Sequence, residues 1–427
     1  MLAVHRKEMS LILWAALFFG AGLLNLWFID NQRWHTDIFT YGGILVVLLL
    51  AISLLLARWK IIGDPYILPL IAMLNFIGML LLFRLSPDVA VKQFYWQVVG
   101  LLSFVFVIKF LADYVRLQDY KYVYIIVGIL LLVLTIIFGV EVGGAKSWLA
   151  LGPLRFQPSE IVKIILVVFL ASFLEEERDI LVSGSREILG IGLPSLRYIG
   201  PVIIMCGLSL MLLVFQKDLG TALIFYGTFL AMVYIATGRW LYITSGTFLF
   251  ALGAVICYFL FFHVQTRVAI WLNPWQDIDG KGYQIVQSLF ALASGGLTGT
   301  GLGLGNPGYI PAVHTDFVFS AWSEETGMLG AVALILLYLL FVYRGMVIAA
   351  KSRTNFGILL AGGLSALFAI QTFVIMAGVI KLLPLTGVTL PFISYGGSSL
   401  VSSYVLAGLL VAVSHRDSSV SEGMLER

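Results

Sequence analysis

Along most of its 427 residues the chain alternates apolar runs of about twenty residues with short polar links. A helix needs about 20 mainly apolar residues to cross a bilayer. Twelve runs fit: 9–29, 38–57, 65–85, 93–112, 121–140, 160–174, 196–215, 219–236, 240–262, 327–348, 356–380 and 396–414. The sixth is short, so its helix is expected to begin earlier or to tilt. The runs are continuous rather than alternating, which excludes barrel strands. The expected fold is an all-α polytopic membrane protein. No internal repeat is visible, which weakens an inverted-repeat transporter.

The pattern fails between residues 262 and 328. This stretch carries Trp-Leu-Asn-Pro-Trp-Gln-Asp-Ile-Asp-Gly-Lys-Gly-Tyr-Gln (271–284), a glycine-rich tract (294–308) and Pro-Ala-Val-His-Thr-Asp-Phe (311–317). Loops of this length without evident structure are functional or disordered, and its many aromatic residues argue against disorder. The link 141–159 is a second segment too elaborate for a turn. The link 175–197, with Glu-Glu-Glu-Arg-Asp, reads as a solvated connector. Residues 416–427 read as a short polar tail.

Composition agrees with the pattern: 60% of residues are hydrophobic and 11% are charged, against about 25% charged in a soluble chain. A net charge of +3 says little about partners when most of the surface faces lipid, and no nucleic-acid partner is expected. The first run follows His-Arg-Lys, is long enough to span, and lacks a small-residue cleavage site, so no cleavable signal is expected. Cys206 and Cys257 lie inside apolar runs and read as small buried residues. With the N-terminus inside, sixteen of the twenty-six Lys and Arg fall on the inner side. That bias places both termini in the cytoplasm and the long loop outside. The outer face has no ATP, so a reaction there needs a substrate carrying its own leaving group.

Ionisable groups at membrane depth are costly and mark candidate sites. Glu160 and Lys163 open the sixth run, three residues apart on one helix face. Asp218 sits in Gln-Lys-Asp-Leu-Gly-Thr-Ala (216–222), Glu324 and Glu325 precede the tenth run, and Lys381 ends the eleventh. Each has a structural alternative, as an ion pair, a helix-start acid or a snorkelling end. In the long loop, Asp277 and Asp279 flank Ile278 near Trp271 and Trp275. One of them, raised by burial, would serve as a general base. Two together would offer oxygens to a divalent cation such as Mg or Mn, and an Asx-type turn is the structural alternative. Lys146, Arg155, Arg267 and Lys281 supply positive charge on the same expected side, suited to a diphosphate. The glycines at 295–305 lack the strand–turn–helix context of a dinucleotide site and read as close backbone packing or a hinge.

Five blocks in order carry a resemblance. They are Gly-Ala-Lys-Ser-Trp with Gln-Pro-Ser-Glu-Ile-Val-Lys (144–148, 157–163), Gln-Lys-Asp-Leu-Gly-Thr-Ala (216–222), and Asn-Pro-Trp-Gln-Asp followed by Gly-Tyr-Gln-Ile-Val-Gln-Ser (273–288). Then come His-Thr-Asp-Phe-Val-Phe-Ser with Glu-Glu-Thr-Gly (314–327) and Pro-Leu-Thr-Gly-Val-Thr-Leu-Pro-Phe-Ile-Ser-Tyr-Gly-Gly-Ser-Ser (384–399). From about residue 65 to 415 the chain resembles the SEDS family, the RodA/FtsW/SpoVE group. The resemblance implies a ten-helix core at 65–415 that includes the large outer loop 263–326. Residues 1–64 would be an N-terminal extension with two helices, giving about twelve spans in a bacterial inner membrane. It implies a glycosyltransferase that polymerises lipid II into β-1,4 glycan strands, releases undecaprenyl diphosphate and works beside a class B penicillin-binding transpeptidase.

Carried onto this chain, the family's loop aspartate falls on Asp277 and not on Asp279. Asp277 would take the proton of the acceptor 4-hydroxyl as it attacks the donor's anomeric carbon. Lys146, Arg155 and Lys163 would meet the diphosphate, and Glu160, Asp218 and Glu325 would line or shape the cavity. Trp148, Trp275, Tyr283, Gln284, His314, Asp316 and Ser398 fall in the matching blocks and complete the expected substrate-contacting set. The chain departs from the common pattern at Ser147, Lys217 and Lys381, where many members have Arg, Pro and Gly. The resemblance implies a role in cell elongation, division or sporulation, and Thr-Gly-Val-Thr-Leu-Pro leans slightly towards division or sporulation relatives. A lipid II flippase and a non-enzymatic scaffold for the transpeptidase are the competing readings. The unusual charges cluster at the expected outer side instead of along a path through the bilayer, which favours the enzyme.

Overall fold

In a bilayer, backbone amides must be satisfied within their own segment, so the apolar runs close into helices. The computed structural model describes residues 2–29, 37–142, 144–152, 154–179, 186–188, 191–193 and 203–425. Its helices are α1 (Leu2–Ile29), α2 (Asp37–Arg58), α3 (Ile67–Leu85), α4 (Pro87–Phe110), α5 (Lys121–Phe138), α6 (Pro158–Glu176) and α7 (Ser209–Phe215). There follow α8 (Leu219–Thr237), α9 (Trp240–Leu260), α10 (Phe262–Leu272), α11 (Tyr283–Gly295), α12 (Val318–Lys351), α13 (Asn355–Val379) and α14 (Gly397–Leu425).

Among the described residues, ten helices are long and apolar enough to cross a membrane. The two other expected spans fall short for different reasons. Helix α6 starts at Pro158, ahead of the expected boundary, but carries Glu160, Lys163, Glu175 and Glu176. The seventh shows a π-helical turn (Ile203–Leu208) and then α7, and residues 196–202 lie outside the described residues. Among the described residues the fold is all-α apart from two small antiparallel sheets. Strands β1 (Val140–Val142), β2 (Ala145–Leu151) and β3 (Leu154–Phe156) form a meander, and β4 (Arg186–Ile188) pairs with β5 (Ile191–Leu193) in the 175–197 connector. The rest of that connector, 180–185, 189–190 and 194–197, lies outside the described residues. Helix α14 runs on to Leu425, so most of the expected polar tail continues a helix.

The chain divides into two compact units. The first comprises residues 1–112, 270–344 and 371–427. Its centre is α3, whose side chains are almost all buried. Phe19 of α1 stacks on Phe76 with centroids 4.7 Å apart. Two buried amides inside it find partners, as helix–helix packing in an apolar medium favours: Gln97 Nε2 donates to Asn75 Oδ1 (3.0 Å) and Gln93 Nε2 to the Ser394 carbonyl (3.1 Å).

The long loop has more structure than its composition suggests, with α10, a 3-10 turn (Pro274–Asp277), α11 and a second 3-10 turn (Pro307–Tyr309). Helix α12 starts at Val318 instead of 327 and breaks at Gly327 (φ 67°, ψ −168°). A break leaves backbone groups without helical partners, and the glycine tract supplies them. Thr300 N–H donates to the Glu324 carbonyl and Gly301 N–H to the Glu325 carbonyl (both 3.0 Å). Met328 N–H donates to the Gly296 carbonyl (2.9 Å) and Leu329 N–H to the Leu297 carbonyl (3.2 Å). A Cβ on Gly327 would overlap the tract's backbone. The glycines are therefore close backbone packing.

The second unit comprises residues 113–269 and 345–370. Helix α6 packs against α5 and α8, burying Leu166, Phe169 and Leu170 completely. Tyr226 of α8 donates from its hydroxyl to the Gly246 carbonyl of α9 (2.7 Å).

Candidate functional site

In the first unit the chain turns sharply after α10. Pro274 opens the 3-10 turn that ends on Asp277, a position proline suits because it needs no amide partner there. Lys281 N–H donates to Asp277 Oδ2 (3.0 Å), and Gly282 N–H donates to the Asp277 carbonyl (3.0 Å). Gly280 lies directly under the carboxylate, where a Cβ would overlap both oxygens. The sequence Asp-Ile-Asp-Gly-Lys-Gly is thus a seat for one carboxylate. Asp277 is exposed, so the expected burial is not found. Asp279 is exposed as well. Trp275 is half-exposed, with its ring 5.9 Å from Phe290, and Tyr283 and Gln284 are half-buried at the start of α11. Trp271 Nε1 donates to the Lys381 carbonyl (3.2 Å), while Lys381 Nζ reaches the Leu272 carbonyl (3.4 Å), so Lys381 braces the same turn.

The other expected residues of this unit are spread over its loops. His314 lies 6.2 Å from the Tyr395 ring, its carbonyl accepts the Tyr395 amide (2.8 Å), and burial lowers its imidazole below the ordinary range. Asp316 faces Gly387, and Ser398 is buried at the start of α14. Glu325 is fully committed: Oε1 accepts from Arg84 Nε (3.1 Å) and Oε2 from Gly303 N–H (3.1 Å). Arg84 also donates to the Gly305 carbonyl (2.9 Å), and Glu324 Oε1 accepts Asn306 N–H (2.8 Å).

In the second unit the meander organises the positive charge. Lys146, Trp148 and Ala150 alternate onto one face of β2. Arg155 pairs with Ala150 across β2–β3 and so shares that face. Lys146 and Arg155 are exposed, whereas Ser147, on the opposite face, is buried. Lys146 Nζ donates to the Ile136 carbonyl (2.7 Å) near the end of α5, where a cation also suits the helix dipole. Glu160 and Lys163 are both buried, on the first and second turns of α6, and form an ion pair of 2.5 Å. Asp218 caps α8. Its Oδ1 accepts Thr221 N–H (3.1 Å), and Oδ2 accepts Thr221 Oγ1 (2.9 Å) and Gln157 Nε2 (3.1 Å). Burial raises the Asp218 carboxyl above its ordinary range and the Thr221 bonds oppose the rise.

Two contributors escape a reading by composition. Gln157 binds Asp218 but looks like a connector residue. Arg84 partners Glu325 from 241 positions away; its one signal is an arginine at the end of a buried helix whose other polar side chain is Asn75. Among the described residues no three His, Cys, Asp or Glu side chains are grouped to hold a metal ion. Asp277 and Asp279 would offer at most a two-carboxylate foothold.

Residues 64–419 match the family model FTSW_RODA_SPOVE, described as "Cell cycle protein". The chain belongs to the RodA/FtsW/SpoVE family. Family members in curated form include the peptidoglycan glycosyltransferase RodA of Mycobacterium tuberculosis, 39% identical over 96% of this chain and 90% of that protein. Stage V sporulation protein E of Bacillus subtilis is 34% identical over 76% of this chain and 86% of that protein. Among solved structures, a chain of a peptidoglycan synthase complex that coordinates polymerization and crosslinking matches at TM-score 0.69, with 32% identity. That match covers 83% of this chain and 98% of the other. The rod shape determining protein RodA of Thermus thermophilus matches at 0.60, with 30% identity over 83% and 97%. The family model begins at residue 64, so α1 and α2 precede it.

Proposed function

We propose that this chain polymerises lipid II on the outer face of the cell membrane. The enzyme class, a peptidoglycan glycosyltransferase of cell-wall synthesis, rests on its relatives at 39% identity over nearly the whole chain. The observation that carries the residue assignment is the seat of Asp277: an exposed carboxylate fixed by the Lys281 amide above Gly280. As base, Asp277 takes the proton from the acceptor's 4-hydroxyl while that oxygen bonds to the donor's anomeric carbon. The bond from that carbon to the diphosphate oxygen breaks and the lipid diphosphate leaves. Attack opposite an α-linked diphosphate yields a β-1,4 bond. A base positioned for one proton contributes typically 10²–10⁴-fold.

Lys146 and Arg155, exposed on one sheet face, are the proposed diphosphate contacts, with Lys163 adding charge from the second turn of α6. Lys146 spends one of its donors on Ile136, and an ammonium carries three. A divalent cation at Asp277 would take most of its ligands from substrate phosphates, as Mg sites commonly do. The partner would be a class B penicillin-binding transpeptidase, which crosslinks the strands.

The test is polymerisation by the purified full chain. Incubated with lipid II in detergent, it should produce glycan strands resolvable on a gel. Absence of polymer, even with the transpeptidase added, would return the flippase or scaffold reading to first place.

A further inference from the structure

Helix α1 carries no polar side chain between Leu11 and Ile29 except Asn25. Asn25 is exposed near the end of α1, one turn before Ile29. Its Nδ2 reaches the long loop and donates to the Leu302 carbonyl at 3.1 Å. Beside it, Leu26 is buried, and Leu26 and Ile29 lie so close to Gly303 that a Cβ there would meet them at 3.1 and 3.4 Å.

The tract is therefore gripped from two sides. Glu325 holds the Gly303 amide, and Arg84 holds both Glu325 and the Gly305 carbonyl. Asn25, Leu26 and Ile29 hold residues 302 and 303 from α1. The helix itself is anchored further along, where Phe19 stacks on Phe76 of α3 and Lys7 bonds the Tyr66 hydroxyl. The tract continues directly from α11, and α11 begins six residues after Asp277.

We propose that Asn25 is a positioning residue: α1 is a strut that fixes the glycine tract, and through α11 the turn that presents Asp277. Helix α1, which precedes the family core, thus acts on the loop of the transfer reaction. The kinetic part of this proposal rests on the reading of the chain as a lipid II polymerase. Its structural part does not.

The experiment compares full-length wild type, Asn25→Leu and Asn25→Gln in detergent by hydrogen–deuterium exchange and by lipid II polymerisation. Asn25→Leu loses the donor, and a net hydrogen bond is worth about fivefold in an opening equilibrium. Peptides covering 296–306 should exchange about fivefold faster, while those of α13 stay unchanged. Asn25→Gln keeps an amide donor and should recover most of the protection. Polymerisation by Asn25→Leu should show a lower kcat with KM for lipid II within about twofold, since no headgroup contact is removed. Unchanged exchange in Asn25→Leu, or equal acceleration in both variants, overturns the strut. Faster exchange with unchanged kcat overturns the positioning role. Absence of polymer from wild type refutes the polymerase reading and with it the kinetic part, and the exchange comparison still decides the structural part.

Discussion

At the scale of single residues, the turn 274–282 shows how much chemistry depends on a missing side chain. Asp277 needs Gly280 beneath it and the Lys281 amide beside it. Gly280→Ala should leave the fold intact, because the turn is exposed. It should push the carboxylate out of line and cut polymerisation on the order of 100-fold, the cost of an ångström-scale misplacement. Steady-state rates beside a thermal-unfolding control would check this. Asp277 was legible in the sequence because it sits in a block whose order and spacing carry a family. Its seat was not, since a glycine's partner is set by how the turn closes. The expectation that burial tunes the base failed for a related reason: nearby tryptophans in a sequence need not cover the carboxylate, and here Trp275 is itself half-exposed.

Among the elements, the break in α12 organises the loop. Its freed backbone groups pair with the glycine tract, and the Glu325 side chain, with no exposed surface, binds both Arg84 and Gly303. Removing one partner of a buried ion pair leaves an uncompensated charge and costs about 3–5 kcal/mol. Arg84→Leu should therefore lower the thermal unfolding midpoint sharply, whereas Arg116→Leu, at an exposed pair with Asp113, should not. Hydropathy found the spanning helices because an apolar run is its own signal. The short helices α10 and α11 escaped it, as they are brief and mixed in character. The Arg84–Glu325 pair escaped it because nothing local marks a contact across 241 positions.

At the scale of the whole molecule, the excess of Lys and Arg on alternate links predicts a loop outside and both termini inside. In intact cells, a cysteine at Lys281 should react with a membrane-impermeant maleimide, and one at Arg353 should react only after permeabilisation. The reverse pattern would invert the topology and remove the loop from the lipid II side. Native Cys206 is buried and Cys257 lies on a spanning helix, so neither should raise the background. The central claim is that Asp277, and not its neighbour, moves the proton of the glycosyl transfer. The most direct measurement is polymerisation of lipid II by purified wild type, Asp277→Ala and Asp279→Ala side by side, each checked for its folded state. The account predicts polymer from wild type and Asp279→Ala and none from Asp277→Ala; polymerisation by Asp277→Ala at the wild-type rate would contradict it.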